Sequence, residues 1–102
     1  MLAVNRFRVG PGDEDDFVRA ARAAVDFMLT RDGAESVELV RNLDEPDLWA
    51  IVGRWANVGS YRRAFNGYQA KVVLVPLLSR AIDEPGAYDA PDAVGENLPR
   101  LR

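Results

Sequence analysis

The segment from Leu48 to Ala56 constrains the fold more than any other part of this chain. Successive side chains of a β-strand point to opposite faces of the sheet. One face of this strand carries Trp49, Ile51, Gly53 and Trp55, and the other carries Leu48, Ala50, Val52 and Arg54. Both faces are mostly apolar, so the segment predicts a strand that helices cover on one side and something else covers on the other.

The residues before this strand predict a strand, a helix and a second strand. Met1–Val9 is rich in Val, Leu and Phe and stops at a Gly-Pro-Gly turn. Asp13–Arg31 begins with acidic residues and then repeats apolar residues at three- and four-residue spacing, which is typical of an amphipathic helix. Ala34–Leu43 is predicted to form a strand, and the polar connection Asp44–Asp47 is predicted to join it to the next strand as a hairpin.

The residues after the Leu48–Ala56 strand predict short helices and a last strand. Asn57 is a candidate N-cap for a helix that ends near Asn66-Gly67. A second helix is predicted over Tyr68–Arg80, with a break near Val75 because proline follows it. The last strand is predicted around Ala87–Ala90.

This order predicts an α+β fold, the ferredoxin-like βαββαβ arrangement of an antiparallel sheet with helices on one face. We predict one domain over residues 1–90 and a C-terminal tail over residues 91–102. The other sheet face offers Val4 and Val52, which find no partner in the predicted elements. Because an apolar sheet face of that size is usually an interface, a homodimer through the sheet face is expected.

The composition excludes several kinds of chemistry. The 102 residues contain neither Cys nor His, which excludes disulfides, thiolate or imidazole metal ligands and a catalytic triad built on His. No metal site and no cofactor are expected. Thirteen Lys and Arg against sixteen Asp and Glu disfavour a nucleic-acid partner. No apolar run suits a membrane helix and the first residues do not resemble a signal peptide, so we expect a cytoplasmic protein with no membrane partner.

The aromatic residues supply the most informative candidate site. Trp55 ends the third strand, Tyr61 follows six residues later, and Phe65 lies one helical turn beyond. With Phe27 they could line a cavity for a flat aromatic ligand, and a plain aromatic core is the alternative. Asn5, on the first strand, could donate a hydrogen bond to that ligand, or could be exposed or paired with backbone.

Charged residues on the later helices complete the candidate set. Lys71 or Arg80 could stabilise an anionic intermediate, although a solvated helix charge is the simpler interpretation of each. The candidate catalytic residues are Trp55, Tyr61 and Asn5. The candidate substrate-binding residues are Phe27, Phe65, Tyr68, Lys71 and Arg80.

Three stretches of the chain resemble the antibiotic biosynthesis monooxygenase (ABM) family of dimeric α+β barrels. They are VGRWANVGSYRRAF, RNLDEPDLWAIVGRW and PLLSRAIDEPGAY. The resemblance covers roughly residues 2–90. It implies an enzyme that oxidises phenols or anthrones to quinones without flavin, haem or metal, because the substrate anion itself reacts with oxygen. It also implies that Trp55 and Tyr61 occupy the positions of a pocket Trp and Tyr.

The chain departs from the pattern of that family at two positions. The enzymes place an Asn four residues before the Trp, where this chain has Ile51. Their helix arginine has no clear counterpart, and Lys71 is the nearest candidate. A second branch of the family degrades haem, and Asn5 resembles its first-strand Asn. That branch uses a His ligand, so haem degradation is not expected here, while haem binding through Tyr61 or Tyr68 stays an alternative.

These observations give two functional hypotheses. The first is a cofactor-independent monooxygenase that oxidises a phenolic or polycyclic aromatic substrate with O2. The second is a non-catalytic dimeric module that binds an apolar or haem-like ligand. An open pocket reached by Asn5 and Tyr61 would favour the enzyme, whereas a sealed aromatic core around Trp55 would count against both.

Overall fold

Four strands form one antiparallel sheet in the computed structural model of this chain, which describes residues 1–94. The strands are β1 (Leu2–Arg8), β2 (Ala34–Arg41), β3 (Leu48–Trp55) and β4 (Ala87–Tyr88). Their order in the sheet is β2-β3-β1-β4, so the predicted ferredoxin-like α+β fold is confirmed. Strand β3 lies between β1 and β2, and this interior position explains why both of its faces are largely apolar.

Helices connect the strands where the sequence predicts them. A 3-10 turn at Pro11–Asp13 leads into α1 (Glu14–Leu29), whose first turn carries acidic residues at the positive end of the helix dipole. The later helices are α2 (Val58–Arg63), α3 (Tyr68–Val73), α4 (Val75–Leu78) and α5 (Pro91–Val94). Helices α3 and α4 are separate because Pro76 lacks a backbone donor and its ring crowds the preceding turn.

The core lies between α1 and one face of the sheet. The buried residues of α1 recur at helical spacing, and they are Phe17, Ala21, Ala24, Phe27 and Met28. The sheet contributes buried side chains from alternate positions of its two central strands, among them Phe7, Ile51 and Trp55. This face of the sheet, which we call the helix-facing side, carries two of the candidate site residues, Asn5 and Trp55.

The second face of the sheet is less completely buried. Val4 lies directly opposite Val52 on this face, and both side chains are only half-buried. Beside them Arg6 donates two hydrogen bonds to the carboxylate of Glu84, at 2.6 and 2.7 Å. That pairing ties the segment before β4 to β1.

The C-terminal part departs from the sequence prediction in the length of its last strand. Strand β4 is shorter than predicted and ends at Tyr88. Residues 91–94, the first part of the predicted C-terminal tail, form α5, because Pro91 favours the first position of a helix and the Ala93 amide donates to Ala90 at 2.9 Å. The rest of the predicted tail, residues 95–102, lies outside the described residues. Across residues 1–94, no helix has the length and apolar character needed to cross a membrane.

Candidate functional site

Three aromatic side chains meet where β3 runs into α2. The ring centroids of Trp55 and Tyr61 are 5.7 Å apart, and those of Tyr61 and Phe65 are 5.2 Å apart. Both pairs are edge-to-face, the arrangement that the quadrupoles of aromatic rings favour. Tyr61 and Phe65 are four residues apart and therefore share one side of the helical segment. We call these three residues the aromatic cluster.

Trp55 forms the buried base of the aromatic cluster. Only 1% of the residue is exposed, whereas Tyr61 and Phe65 are half-buried. Its ring lies over Gly53, where an added Cβ would stand 2.9 Å from the Trp55 Nε1 atom. Sequence reasoning missed this role of Gly53, although an isolated glycine in an apolar strand is a known signal of close packing.

Asn5 and Tyr61 bring two polar groups to the aromatic cluster. Burial raises the pKa of the Tyr61 hydroxyl above its ordinary value of 10, and interaction with the Asn5 side chain opposes part of that rise. The Asn5 Oδ1 atom also lies close to Gly86, since a Cβ on that glycine would be 3.1 Å away. Tyr61, like any tyrosine with a pKa of 10 or above, carries a neutral hydroxyl at physiological pH and can donate a hydrogen bond.

Ile51 occupies the strand position at which the family resemblance places an Asn. Ile51 is buried on β3 and lies directly opposite Asn5 on β1, on the helix-facing side. The amide that the family resemblance places on the third strand is therefore absent there, but an amide is present one strand away. Only the register of β1 against β3 reveals this juxtaposition.

The remaining predicted substrate-binding residues lie outside the aromatic cluster. Phe27 is buried in α1, and the Arg31 guanidinium covers its ring at 5.1 Å from the centroid. Tyr68 is 83% exposed, and Lys71 is exposed on the same helix. Arg80 lies 5.8 Å from the centroid of Phe17.

Phe17 belongs to a second group of aromatic side chains at the other end of β3. Its ring centroid is 5.0 Å from that of Phe7 and 5.6 Å from that of Trp49. Trp49 and Trp55 are six residues apart on one strand, a separation of about 20 Å. Arg80 therefore contacts the second aromatic group and not the one that contains Tyr61.

Helix α2 holds Tyr61 through a defined N-terminal cap. The Asn57 side chain accepts a hydrogen bond from the Ser60 amide at 2.8 Å, so the predicted N-cap is confirmed. The cap satisfies one of the amides that a helix start leaves unpaired. It thereby fixes the direction in which the chain leaves Trp55.

The fold and this site define a small α+β protein with an aromatic cluster and two polar groups between its sheet and its helices. Residues 1–72 match the family model described as antibiotic biosynthesis monooxygenase, ABM. The chain belongs to the ABM family. None of the curated proteins matches it in sequence.

Several solved structures share the fold. SnoaB, a cofactor-independent oxygenase from Streptomyces nogalater, superposes with a TM-score of 0.73 at 22% identity, over 87% of this chain and 90% of SnoaB. A conserved protein from Methanosarcina mazei has a TM-score of 0.70 at 20% identity, over 84% of each chain. PA3566 from Pseudomonas aeruginosa has a TM-score of 0.66 at 14% identity, over 87% of this chain and 92% of its own. Identities this low show a common fold and nothing finer.

Proposed function

We propose that this protein is a cofactor-independent monooxygenase that oxidises a phenolic or polycyclic aromatic substrate with O2. The observation that carries the proposal is the placement of the Asn5 amide and the Tyr61 hydroxyl beside the aromatic cluster, within an ABM-family fold. SnoaB, which has the same fold, is a cofactor-independent oxygenase. The proposed site comprises Asn5, Trp55, Tyr61 and Phe65.

The aromatic side chains would bind and orient a flat substrate. Tyr61 and Phe65 present half-buried rings against which a second ring system can stack, which favours aromatic ligands over aliphatic ones of equal size. Trp55 is too deeply buried to take part directly and acts as a positioning residue, because its indole packs edge-to-face with the Tyr61 ring.

The polar groups would stabilise the substrate anion. The Tyr61 hydroxyl, whose pKa is raised above the ordinary value of 10, is protonated at neutral pH and would serve as a donor to a phenolate oxygen. The Asn5 amide is a second donor within reach of the same region. Pre-oriented donors at a developing oxyanion are among the largest contributions to enzymatic rate enhancement. Lys71 and Arg80 lie elsewhere, so this role does not require them.

The proposed reaction balances for an anthrone. The substrate loses a C–H proton to solvent and becomes an anion, whose carbon forms a bond to one atom of O2. Protonation gives a hydroperoxide. Loss of the second C–H proton from the same carbon then forms the C=O bond as the O–O bond breaks, and the hydroxide that leaves takes up a proton to become water. The products are one quinone and one water for each anthrone and O2 consumed, so the substrate supplies all four electrons.

Oxygen uptake by the purified protein tests this proposal. With an anthrone or a dihydroquinone, and with no added metal or flavin, we expect uptake faster than the autoxidation of the same substrate in buffer. Tyr61→Phe keeps the ring and removes the donor, and should lower kcat by about 100-fold.

Two outcomes would contradict the proposal. A rate equal to autoxidation would exclude this substrate class. Ligand binding without turnover, detected by quenching of tryptophan fluorescence, would instead support the non-catalytic binding module.

A second pair of variants, Trp55→Phe and the matched Trp49→Phe, separates the two aromatic groups, since only Trp55→Phe should change the rate.

The proposal includes a homodimer through the second face of the sheet. Val4 and Val52 lie at the centre of that face and are half-buried within one chain. Val40 and Tyr88, near its two edges, are 41% and 53% exposed. Packing this face against a second copy would remove the apolar surface from water, which is the driving force for association.

A further inference from the structure

The turn between α1 and β2, residues 31–33, contacts the start of α2. The backbone of Gly33 has a φ of 87°, in the left-handed region that favours glycine, and its carbonyl accepts a hydrogen bond from the Ala56 amide at 2.8 Å. A Cβ on Gly33 would lie 2.4 Å from both Cβ and Oγ of Ser60. Ser60, which is buried on α2, therefore packs directly against the glycine backbone.

The same turn contacts the other end of α2 through Arg31. Its Nη2 atom lies 3.5 Å from the Arg63 carbonyl and 3.4 Å from the Asn66 carbonyl, donating to both. A cation is favourable at the negative end of a helix, where carbonyl groups lack partners. Arg31 is itself held over the Phe27 ring at 5.1 Å, so its side chain has a defined direction.

Helix α2 depends on such contacts for its orientation. It has six residues, and isolated helices shorter than about 12 residues are marginal in water. Tyr61 lies between the two ends that the 31–33 turn contacts. A shift of either end would therefore move the Tyr61 hydroxyl relative to Asn5, which is fixed on the central strand β1.

We propose that Arg31 is a positioning residue for Tyr61, and that it acts with Gly33 by holding both ends of α2. We call the contacts of Arg31 and Gly33 with the two ends of α2 the clamp. These contacts do not depend on any reaction, but their effect on the rate rests on the proposed function. If the protein is a monooxygenase, release of the clamp should lower kcat by about 10- to 100-fold, because small displacements of an orienting group are costly.

Nuclear magnetic resonance of the Tyr61 ring tests the clamp without any activity assay. In protein labelled with 13C at the tyrosine ζ carbon, Tyr61→Phe assigns the signal, and titration gives its pKa. In Arg31→Ala the pKa should fall toward 10, because a looser α2 lets water reach the hydroxyl. Loss of a nearby positive charge alone would move the pKa upward, so the sign distinguishes loosening from electrostatics. Contacts between the Tyr61 and Trp55 ring protons should weaken in parallel.

Two further variants serve as controls for Arg31→Ala, one that keeps the positive charge and one on the exposed side of α1. Arg31→Lys keeps a cation that reaches one carbonyl and should restore part of the wild-type behaviour, and Arg22→Ala, on the exposed side of α1, should change nothing. An unchanged Tyr61 signal in a folded Arg31→Ala variant would overturn the proposal. So would equal effects in Arg22→Ala. A wild-type protein that lacks oxygenase activity would contradict the proposed function, while the resonance measurements would still decide the clamp.

A second pair of substitutions covers the case in which Arg31→Ala does not fold. Gly33→Ala should displace Ser60 and perturb the Tyr61 signal. Alanine at the positive φ of position 33 is strained in the single and the double variant alike, whereas adding Ser60→Gly removes both atoms that the new Cβ would meet. The difference between the two variants therefore reports the contact alone, and the double variant should return the signal part of the way toward wild type. No recovery in the double variant would show that the contact between positions 33 and 60 does not position Tyr61, and would count against the clamp.

Discussion

Asn5 and Ile51 lie directly opposite each other on β1 and β3, on the side of the sheet that faces the helices. The two side chains are therefore neighbours about 5 Å apart at their Cβ atoms. An amide carried by either position would reach the same region beside Tyr61. This relationship leads us to predict that Asn5 supplies the amide that Ile51 lacks.

Exchanging the two residues tests this prediction. Asn5→Leu removes the amide and should lower kcat by about 100-fold, the usual effect of losing one oxyanion donor. The double variant Asn5→Ile with Ile51→Asn moves the amide to the neighbouring strand and should recover part of that loss. Oxygen uptake gives the rates, and circular dichroism checks the fold. An Asn5→Leu variant with wild-type rate would place the stabilising donor elsewhere.

The raised pKa of Tyr61 also predicts how the free energy of unfolding depends on pH. Its folded-state pKa is raised above 10 because burial disfavours the anion. Between pH 10 and the folded pKa the unfolded chain loses this proton while the folded chain keeps it, so the free energy of unfolding falls as pH rises. Below pH 10 the contribution is complete. Thermal unfolding of wild type and Tyr61→Phe from pH 9 to 11 should show a steeper decline for wild type. Parallel curves for wild type and Tyr61→Phe would contradict the raised pKa.

Substitution of Gly86 should destabilise the sheet through steric overlap alone. A Cβ there would lie 2.8 Å from the Val4 carbonyl oxygen and 3.1 Å from Asn5 Oδ1. The carbonyl belongs to a central strand and cannot move without disturbing its ladder, so Gly86→Ala should cost about 1–3 kcal/mol. Gly12→Ala introduces the same group into open space and should change stability by less than about 0.5 kcal/mol. Urea unfolding measures both, and equal values would show that the β4 segment yields at little cost.

Local patterns predicted most of the fold because they act over a few residues. The apolar residues on both faces of β3 identified an interior strand, and Pro76 and Asn57 marked a helix break and a helix start. The aromatic cluster was predictable in part, since Trp55 and Tyr61 are close in sequence.

Other features depend on residues that are distant in sequence. The position of Arg80 follows from how α4 packs, which placed it over Phe17 instead of Tyr61. The pairing of Asn5 with Ile51 follows from strand register, and the contact of Gly33 with Ser60 joins segments 27 residues apart. Periodicity in a single sequence carries no information on such distances.

Val52 gives the sharpest test of the homodimer. It lies at the centre of the second sheet face, opposite Val4 on one side and Glu38 on the other. Val52→Lys would pair with Glu38 across the strands, which supports the folded chain, but would place an ammonium group inside the proposed interface. Sedimentation velocity should give a dimer of the 11.3 kDa chain for wild type at micromolar concentration and a monomer for this variant. Val72→Lys, on the exposed surface of α3, should remain dimeric. A wild-type monomer, or a dimer that tolerates Val52→Lys, would show that the second face is not the interface.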